Sequence, residues 1–183
     1  MQKYLITSAD FYSRDSETFK TRLRKQLQLH MPEYALFRDK ENPEYQSLAC
    51  GFMEVCREFE GLVCIIHSDI KTASALKADG VHLTSTQFAE IPHAKSENLE
   101  VIISTHSHEE VLKAQSLGAD AVTYSPVFAS PDKGEPKGTE DLKALKDKSD
   151  IKIFALGGIL EPRHVEAVEK TGVQGFASIR YFY

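Results

Sequence analysis

VIISTHSHEEVLKAQSLGADAVTY, residues 101–124, reads as strand, helix and strand in one run. Val101–Ser104 is a short apolar segment of the kind buried on both faces, and Ala121–Tyr124 is a second. Between them, His108–Leu117 has helical character. Ser107 stands where a side-chain cap is wanted, and Glu109 and Glu110 complement the positive end of the helix. Val111, Leu112, Ala114 and Gln115 present a mixed face, while Glu109, Glu110 and Lys113 can stay wet. Gly118 follows, where a left-handed terminating residue is favoured.

The same unit repeats in both directions. Strands are expected at Lys3–Thr7, Tyr34–Arg38, Leu62–Ile66, Gly80–Leu83, Lys152–Leu156 and Gly175–Ile179. Helices are expected at Ser16–Leu29, Glu44–Glu60 and Pro162–Lys170, with Asn42-Pro43-Glu44 as an entry signal and Gly61 and Gly172 as stops. Eight strands joined by seven crossovers make a small α/β protein, a closed (β/α)8 TIM barrel, the economical solution. An open doubly wound sheet is the structural alternative. The chain stops soon after the eighth strand, without the usual closing helix. Tyr181, Phe182 and Tyr183 either cover the barrel edge or mark a subunit interface, which would make a homodimer.

Composition excludes several classes. With 183 residues, 42% of them apolar, residues 1–183 suit a single domain with a sizeable core. A net charge of -5 gives no electrostatic case for nucleic acid or an anionic membrane as partner. No apolar run approaches the roughly 20 residues of a membrane span, and MQKYLITSADF does not resemble a signal peptide. Three cysteines with no CxxC disfavour a disulfide framework or a zinc ribbon. A cytoplasmic location is expected.

Barrel enzymes carry their chemistry where strands end. Here those ends hold Arg38, Asp39 and Lys40; His67, Ser68 and Asp69; His82 and Thr84; Ser104 and His106. Ser125–Gly138, the longest irregular segment, adds Ser130, Asp132 and Lys133. Gly157-Gly158 allows close backbone approach and offers N–H groups to an anion. With Ser178 and Arg180 after strand eight, it lies where barrels commonly bind phosphate. Arg38, Lys40 and Lys133 form a second cationic patch suited to a diphosphate. His67, His82 and His106 lack the spacing of a metal site, so no metal ligand is assigned; His67 beside Ser68 has the chemistry of an acid or base.

The segments YLIT, LFRDK, ADGVHL, STH, GADAVTYSPVFASPDKGEPKG and FALGGI together resemble, in order, the landmarks of thiamine phosphate synthases and the related thiazole tautomerase-like proteins. Nearly the whole chain takes part. The resemblance implies a (β/α)8 barrel and a reaction that joins hydroxymethylpyrimidine diphosphate to thiazole phosphate, releasing diphosphate with the help of Mg²⁺. Carried over residue by residue, it implies that Arg38, Lys40 and Lys133 bind diphosphate, that Ser104 contacts the pyrimidine and that Gly158 faces the thiazole phosphate. On this reading Ser104, Lys133 and His67 are the catalytic candidates. Arg38, Lys40, Ser130, Gly157, Gly158, Ser178 and Arg180 complete the substrate site.

The chain departs from the family pattern at the metal. Leu36 replaces a glutamine, His67-Ser68 replaces the Asn-Asp pair, and Gln87 replaces a second metal-binding aspartate. Ser130 and Asp132 replace two threonines, and Arg180 replaces a serine. The Mg²⁺ site is therefore incomplete, with Asp69 and Asp132 the nearest substitutes. The tautomerase-like branch tolerates such losses, but its histidine at the start of the strand-six loop is Pro126 here, leaving His67 or His106 for proton transfer. Synthase, tautomerase-like relative and thiazole phosphate-binding protein stay open. A sugar-phosphate epimerase or isomerase is a further class, for which His67 with Asp69 is the local candidate pair.

Overall fold

Eight parallel strands form a closed ring in sequence order in the computed structural model, which describes residues 1–39, 41–131 and 133–183. Lys40 and Asp132 lie outside the described residues. The strands are β1 (Gln2–Ile6), β2 (Tyr34–Phe37), β3 (Val63–His67), β4 (Gly80–Leu83), β5 (Glu100–Thr105), β6 (Ala121–Tyr124), β7 (Lys152–Leu156) and β8 (Gly175–Ser178). β1 pairs with β8, Tyr4 opposite Ala177 and Leu5 opposite Ser178, and this closes the barrel rather than leaving an open sheet. The helices are α1 (Ala9–Tyr12), α2 (Ser16–His30), α3 (Tyr45–Cys56), α4 (Ile70–Ala75), α5 (Ile91–Ser96), α6 (His108–Ser116), α7 (Gly138–Lys146) and α8 (Pro162–Glu169).

Alternation along each strand divides the core in two. Tyr4, Ile6, Tyr34, Leu36, Ile65, Ile102 and Phe154 pack together inside the barrel. Leu5, Phe37, Ile66, Val81, Ile103, Val122 and Ile153 belong to the larger layer that includes the helices. At the N-terminal end of the barrel, Lys152 Nζ donates to Tyr34 Oη at 2.7 Å, and Tyr34 donates to Glu100 at 3.0 Å. These polar groups satisfy one another, which makes that end a structural floor.

Local chemistry sets the element ends. The Ser107 hydroxyl accepts from the Glu110 N–H at 3.1 Å and starts α6, as its position suggests. Asn42 does something different: its Oδ1 accepts from Glu44 N–H at 2.8 Å and its Nδ2 donates to Asp39, and α3 begins only at Tyr45. α3 also stops at Cys56 rather than reaching Glu60, because Glu58 and Phe59 donate to Val55 and Cys56 in tighter turns. β3 runs one residue further than expected and carries His67 into register with His82.

After β8 a single 3₁₀ turn, Arg180–Phe182, packs over the barrel edge. Phe182 is fully buried and stacks on Phe176 of β8 with ring centroids 5.6 Å apart. His30 at the end of α2 meets the same ring at 5.3 Å, and Tyr183 lies 4.9 Å from Phe11. The terminal aromatics thus cover the barrel edge. Phe182→Ala is expected to cost about 3–5 kcal/mol in urea unfolding, as for other fully buried aromatics; a loss under about 1 kcal/mol would show that the turn contributes no seal.

Candidate functional site

The C-terminal ends of the strands surround a cavity of about 450 Å³. Arg38, His67, Ser104, Ser130, Lys133, Gly157, Gly158, Ser178 and Arg180 all line it, together with His82 and His106. Residues separated by up to most of the chain length are gathered because parallel strands all end on one face. No carboxylate lines the cavity among the described residues. Arg38 is half-buried, and burial pulls its guanidinium below the usual value. It forms no ion pair with a described acid, whereas the neighbouring Asp39 is engaged by Arg14 at 3.1 Å. A partly desolvated, unpaired cation at a cavity wall favours an anion as its partner.

The double glycine has a more specific role than a flexible turn. Gly157 and Gly158 have φ of +100° and +69°. A Cβ on Gly158 would lie 2.5 Å from the Ala129 carbonyl oxygen and 2.7 Å from the Phe128 Cβ. The close approach is therefore made by the chain following β6. Val127 and Phe128 donate to the carbonyls of Leu156 and Gly157 at 2.9 and 3.0 Å, and Lys137 and Gly138 donate back to Pro126 and Val127. This double clasp pins the neck of the loop and presents Ser130 and Lys133 at the mouth. The N–H groups of Gly158 and Ile159 donate to no described backbone group, although Ile159 is buried. Such groups need an acceptor. Ser178 is already committed: its Oγ–H donates to the Ile159 carbonyl at 2.9 Å, and its oxygen accepts from Tyr181. It ties the ends of β7 and β8 together instead of offering a donor to a ligand.

The histidines differ sharply. His82 is buried in the cavity floor, with Nδ1 2.9 Å from Tyr4 Oη and Nε2 3.0 Å from Ser104 Oγ. Burial foremost, then the nearby His67 and Arg38, pull its pKa down to about 3. Both ring nitrogens are occupied, so His82 is no metal ligand. His106 Nδ1 is 3.1 Å from the Ser125 carbonyl oxygen and 3.3 Å from the Ser125 hydroxyl, which fix the ring at the start of the β6 loop. His67 ends β3, and its ring centroid lies 6.2 Å from that of His82. In the sequence His82 stands only as a residue near the end of the fourth strand, and its partners Tyr4 and Ser104 are brought to it by folding.

The residues where the resemblance implies Mg²⁺ do not fit that ion. Gln87 Nε2 donates to the Ser68 carbonyl at 3.0 Å, and its Oε1 accepts from Thr84 N–H at 2.9 Å. An internal latch occupies the space between the β3 and β4 ends. Ser68, at φ +58°, is held in the left-handed region there. Asp69 does not replace the lost acids, because its two oxygens accept from the Thr72 N–H and hydroxyl at 2.9 and 2.7 Å as the cap of α4. Asp132, the other substitute, lies outside the described residues, as does Lys40. A hard cation wants oxygen anions, and the described residues supply none here.

Gly158→Ala should lower stability by about 2 kcal/mol or more, from its left-handed backbone and the crowding of Phe128 and Ala129; unchanged urea unfolding would mean that the loop neck is not packed this way. The buried His82 predicts a pH effect. Its folded pKa of about 3 lies below the roughly 6.5 of an unfolded histidine, so the unfolded chain binds the proton first. Its contribution is complete above pH about 6.5 and is lost as pH falls toward 3, by at most about 1.4 kcal/mol per pH unit. His82→Asn should flatten that part of the stability profile, and identical slopes in both proteins would remove the assignment.

The family model for thiamine monophosphate synthase matches residues 3–182. A thiamine-phosphate synthase of Desulfitobacterium hafniense (strain Y51) is 32% identical over 152 residues, covering 78% of this chain and 71% of that protein. The thiamine-phosphate synthase of Caldanaerobacter subterraneus subsp. tengcongensis is 30% identical over 146 residues, or 78% and 68% of the two chains. The solved thiamine phosphate pyrophosphorylase from Pyrococcus furiosus superposes with a TM-score of 0.83 at 28% identity, covering 97% of this chain and 85% of that one. With a closed barrel, a phosphate-suited mouth and a match along nearly its whole length, the chain belongs to the thiamine monophosphate synthase family.

Proposed function

We propose that the cavity binds phosphorylated heterocycles and serves thiamine assembly as a thiamine phosphate synthase, joining hydroxymethylpyrimidine diphosphate to thiazole phosphate. The observation that carries this reading is the joint placement of Arg38, Lys133 and Arg180 with the N–H groups of Gly158 and Ile159, which donate to no described backbone acceptor, around one cavity with no described carboxylate in its lining. Arg38 and Lys133 receive the diphosphate. Gly158, Ile159 and Arg180 receive the thiazole phosphate at the ends of β7 and β8. Ser104 meets the pyrimidine from the floor.

The chemistry asked of these residues is electrostatic. The bond from the pyrimidine methylene carbon to the diphosphate oxygen breaks, and its electron pair leaves with the diphosphate. The lone pair of the thiazole nitrogen then forms the new C–N bond, and no proton has to move. Cationic clamps aimed at the departing oxygen lower that barrier, and a dry cavity protects the reactive carbon from water. The latch of Gln87 on Ser68 supports a reaction that does not depend on a Mg²⁺ ion at that corner.

A second reading has its own support. His106 is anchored through Nδ1 on Ser125, next to Pro126, where the tautomerase-like branch has its histidine, and its Nε2 has no hydrogen bond among the described residues. With the metal corner filled by protein, a tautomerase-like relative acting on thiazole phosphate through His106 follows naturally. The deciding experiment is thiamine phosphate formation by the purified protein, with Mg²⁺ and with a chelator. Product in both conditions supports the synthase reading and a metal-free corner, and Lys133→Ala should then weaken diphosphate binding about tenfold. Absence of product while thiazole phosphate still binds would overturn it in favour of the second reading, for which His106→Gln should abolish proton exchange on the thiazole.

A further inference from the structure

The polar groups under the cavity form a directed chain. Tyr4, fully buried inside the barrel, places its hydroxyl 2.9 Å from His82 Nδ1, and His82 Nε2 lies 3.0 Å from Ser104 Oγ. Thr123 Oγ1 is farther from the same nitrogen, at 3.4 Å. Ser104 makes no other hydrogen bond among the described residues and lines the cavity. The direction of these bonds follows from the protons available. Tyr4 keeps its proton, because burial raises its pKa well above the usual phenol range. The imidazole stays neutral, held so by burial and by the positive charges nearby.

A neutral imidazole has one N–H and one lone pair. If the hydrogen sat on Nδ1, it would point at the Tyr4 oxygen, and the Tyr4 O–H would lose its only described acceptor in a dry interior. An orphaned buried donor is costly. With the hydrogen on Nε2, Tyr4 donates to Nδ1 at 2.9 Å and Nε2–H donates to Ser104 Oγ at 3.0 Å, and only the long 3.4 Å contact from the Thr123 hydroxyl is given up. The Ser104 oxygen is then an acceptor toward His82, and its own hydrogen is left for the cavity.

We propose that Tyr4, acting through His82, frees the Ser104 hydroxyl hydrogen for the ligand, so that this point of the floor offers a donor to a ring nitrogen or oxygen with a lone pair. Tyr4 and His82 are positioning residues, and Ser104 makes the contact. The polarity of Ser104 follows from the protein alone; only the identity of the ligand rests on the synthase reading above. The chain also extends selection below the visible lining, since Tyr4 does not itself line the cavity.

The test reads the imidazole directly. Nitrogen-15 NMR of the ligand-free protein at neutral pH should show His82 with a pyridine-type Nδ1 and a pyrrole-type Nε2. The opposite tautomer, or a mixture, overturns the proposal whether or not any ligand binds. Tyr4→Phe keeps the ring that packs on Phe154 and removes only the donor, so it should release the tautomer into a mixture. Calorimetric titration with hydroxymethylpyrimidine diphosphate supplies the second arm. Tyr4→Phe should weaken binding roughly three- to tenfold, the size of one neutral hydrogen bond, and Ser104→Ala should erase that difference. An undiminished Tyr4→Phe effect in the Ser104→Ala background overturns the relay, because Tyr4 would then act by another route. Failure of the wild-type protein to bind this probe would count against the synthase reading, while the tautomer alone would still decide the polarity of Ser104.

Discussion

Closure of the sheet between β1 and β8 sets the terms for the rest of the molecule. The pairing of Tyr4 with Ala177 and Leu5 with Ser178 removes both open edges, so the ladder groups of the strands are matched around the ring. Free backbone groups remain only at the strand ends, and the ends of parallel strands face one way. The aromatic turn Arg180–Phe182 supports this closure from outside, with Phe182 stacked on Phe176. Inside, Tyr4, Tyr34 and Phe154 fill the lower barrel, so the open volume lies at the C-terminal mouth.

That volume has a consistent electrical character. Acids close to it in sequence are neutralised elsewhere: Asp39 by Arg14 and Asn42, Asp69 by the start of α4. Among the described residues Arg38, Lys133 and Arg180 form no ion pair, and the N–H groups of Gly158 and Ile159 donate to no backbone acceptor. The same pattern explains why the described metal corner is unsuited to Mg²⁺. Gln87 and Ser68 bond to one another, which turns a position that the family resemblance assigns to an ion into a fixed link between two loops.

Much of this was legible in the chain. Short apolar runs between helical stretches located all eight strands to within a residue or two, and strand ends in a parallel barrel identify the mouth without further information. Arg38, Ser104, Lys133 and the Gly157-Gly158 turn were found that way. The limits of α3 were not, because Asn42 has two local uses, a cap or a turn, and its tie to Asp39 selects the turn. Nor was the reason for the double glycine, since sequence records the absence of a side chain but not which neighbour occupies the space. Here it is Phe128 and Ala129, almost thirty positions earlier.

Local order alone therefore determined the barrel, its direction and the ring of residues at its mouth, because periodicity and capping act over a few residues. The tertiary structure decided which of those residues remain available. Ser178 is spent between two strand ends, Asp69 on a helix cap and Gln87 on a latch, while Arg38 has no ion-pair partner among the described residues. It also decided the polarity of Ser104, through contacts spanning 78 and 22 positions of chain. A hydroxyl can give or accept a hydrogen bond, and only the neighbours brought to it by folding determine which it does.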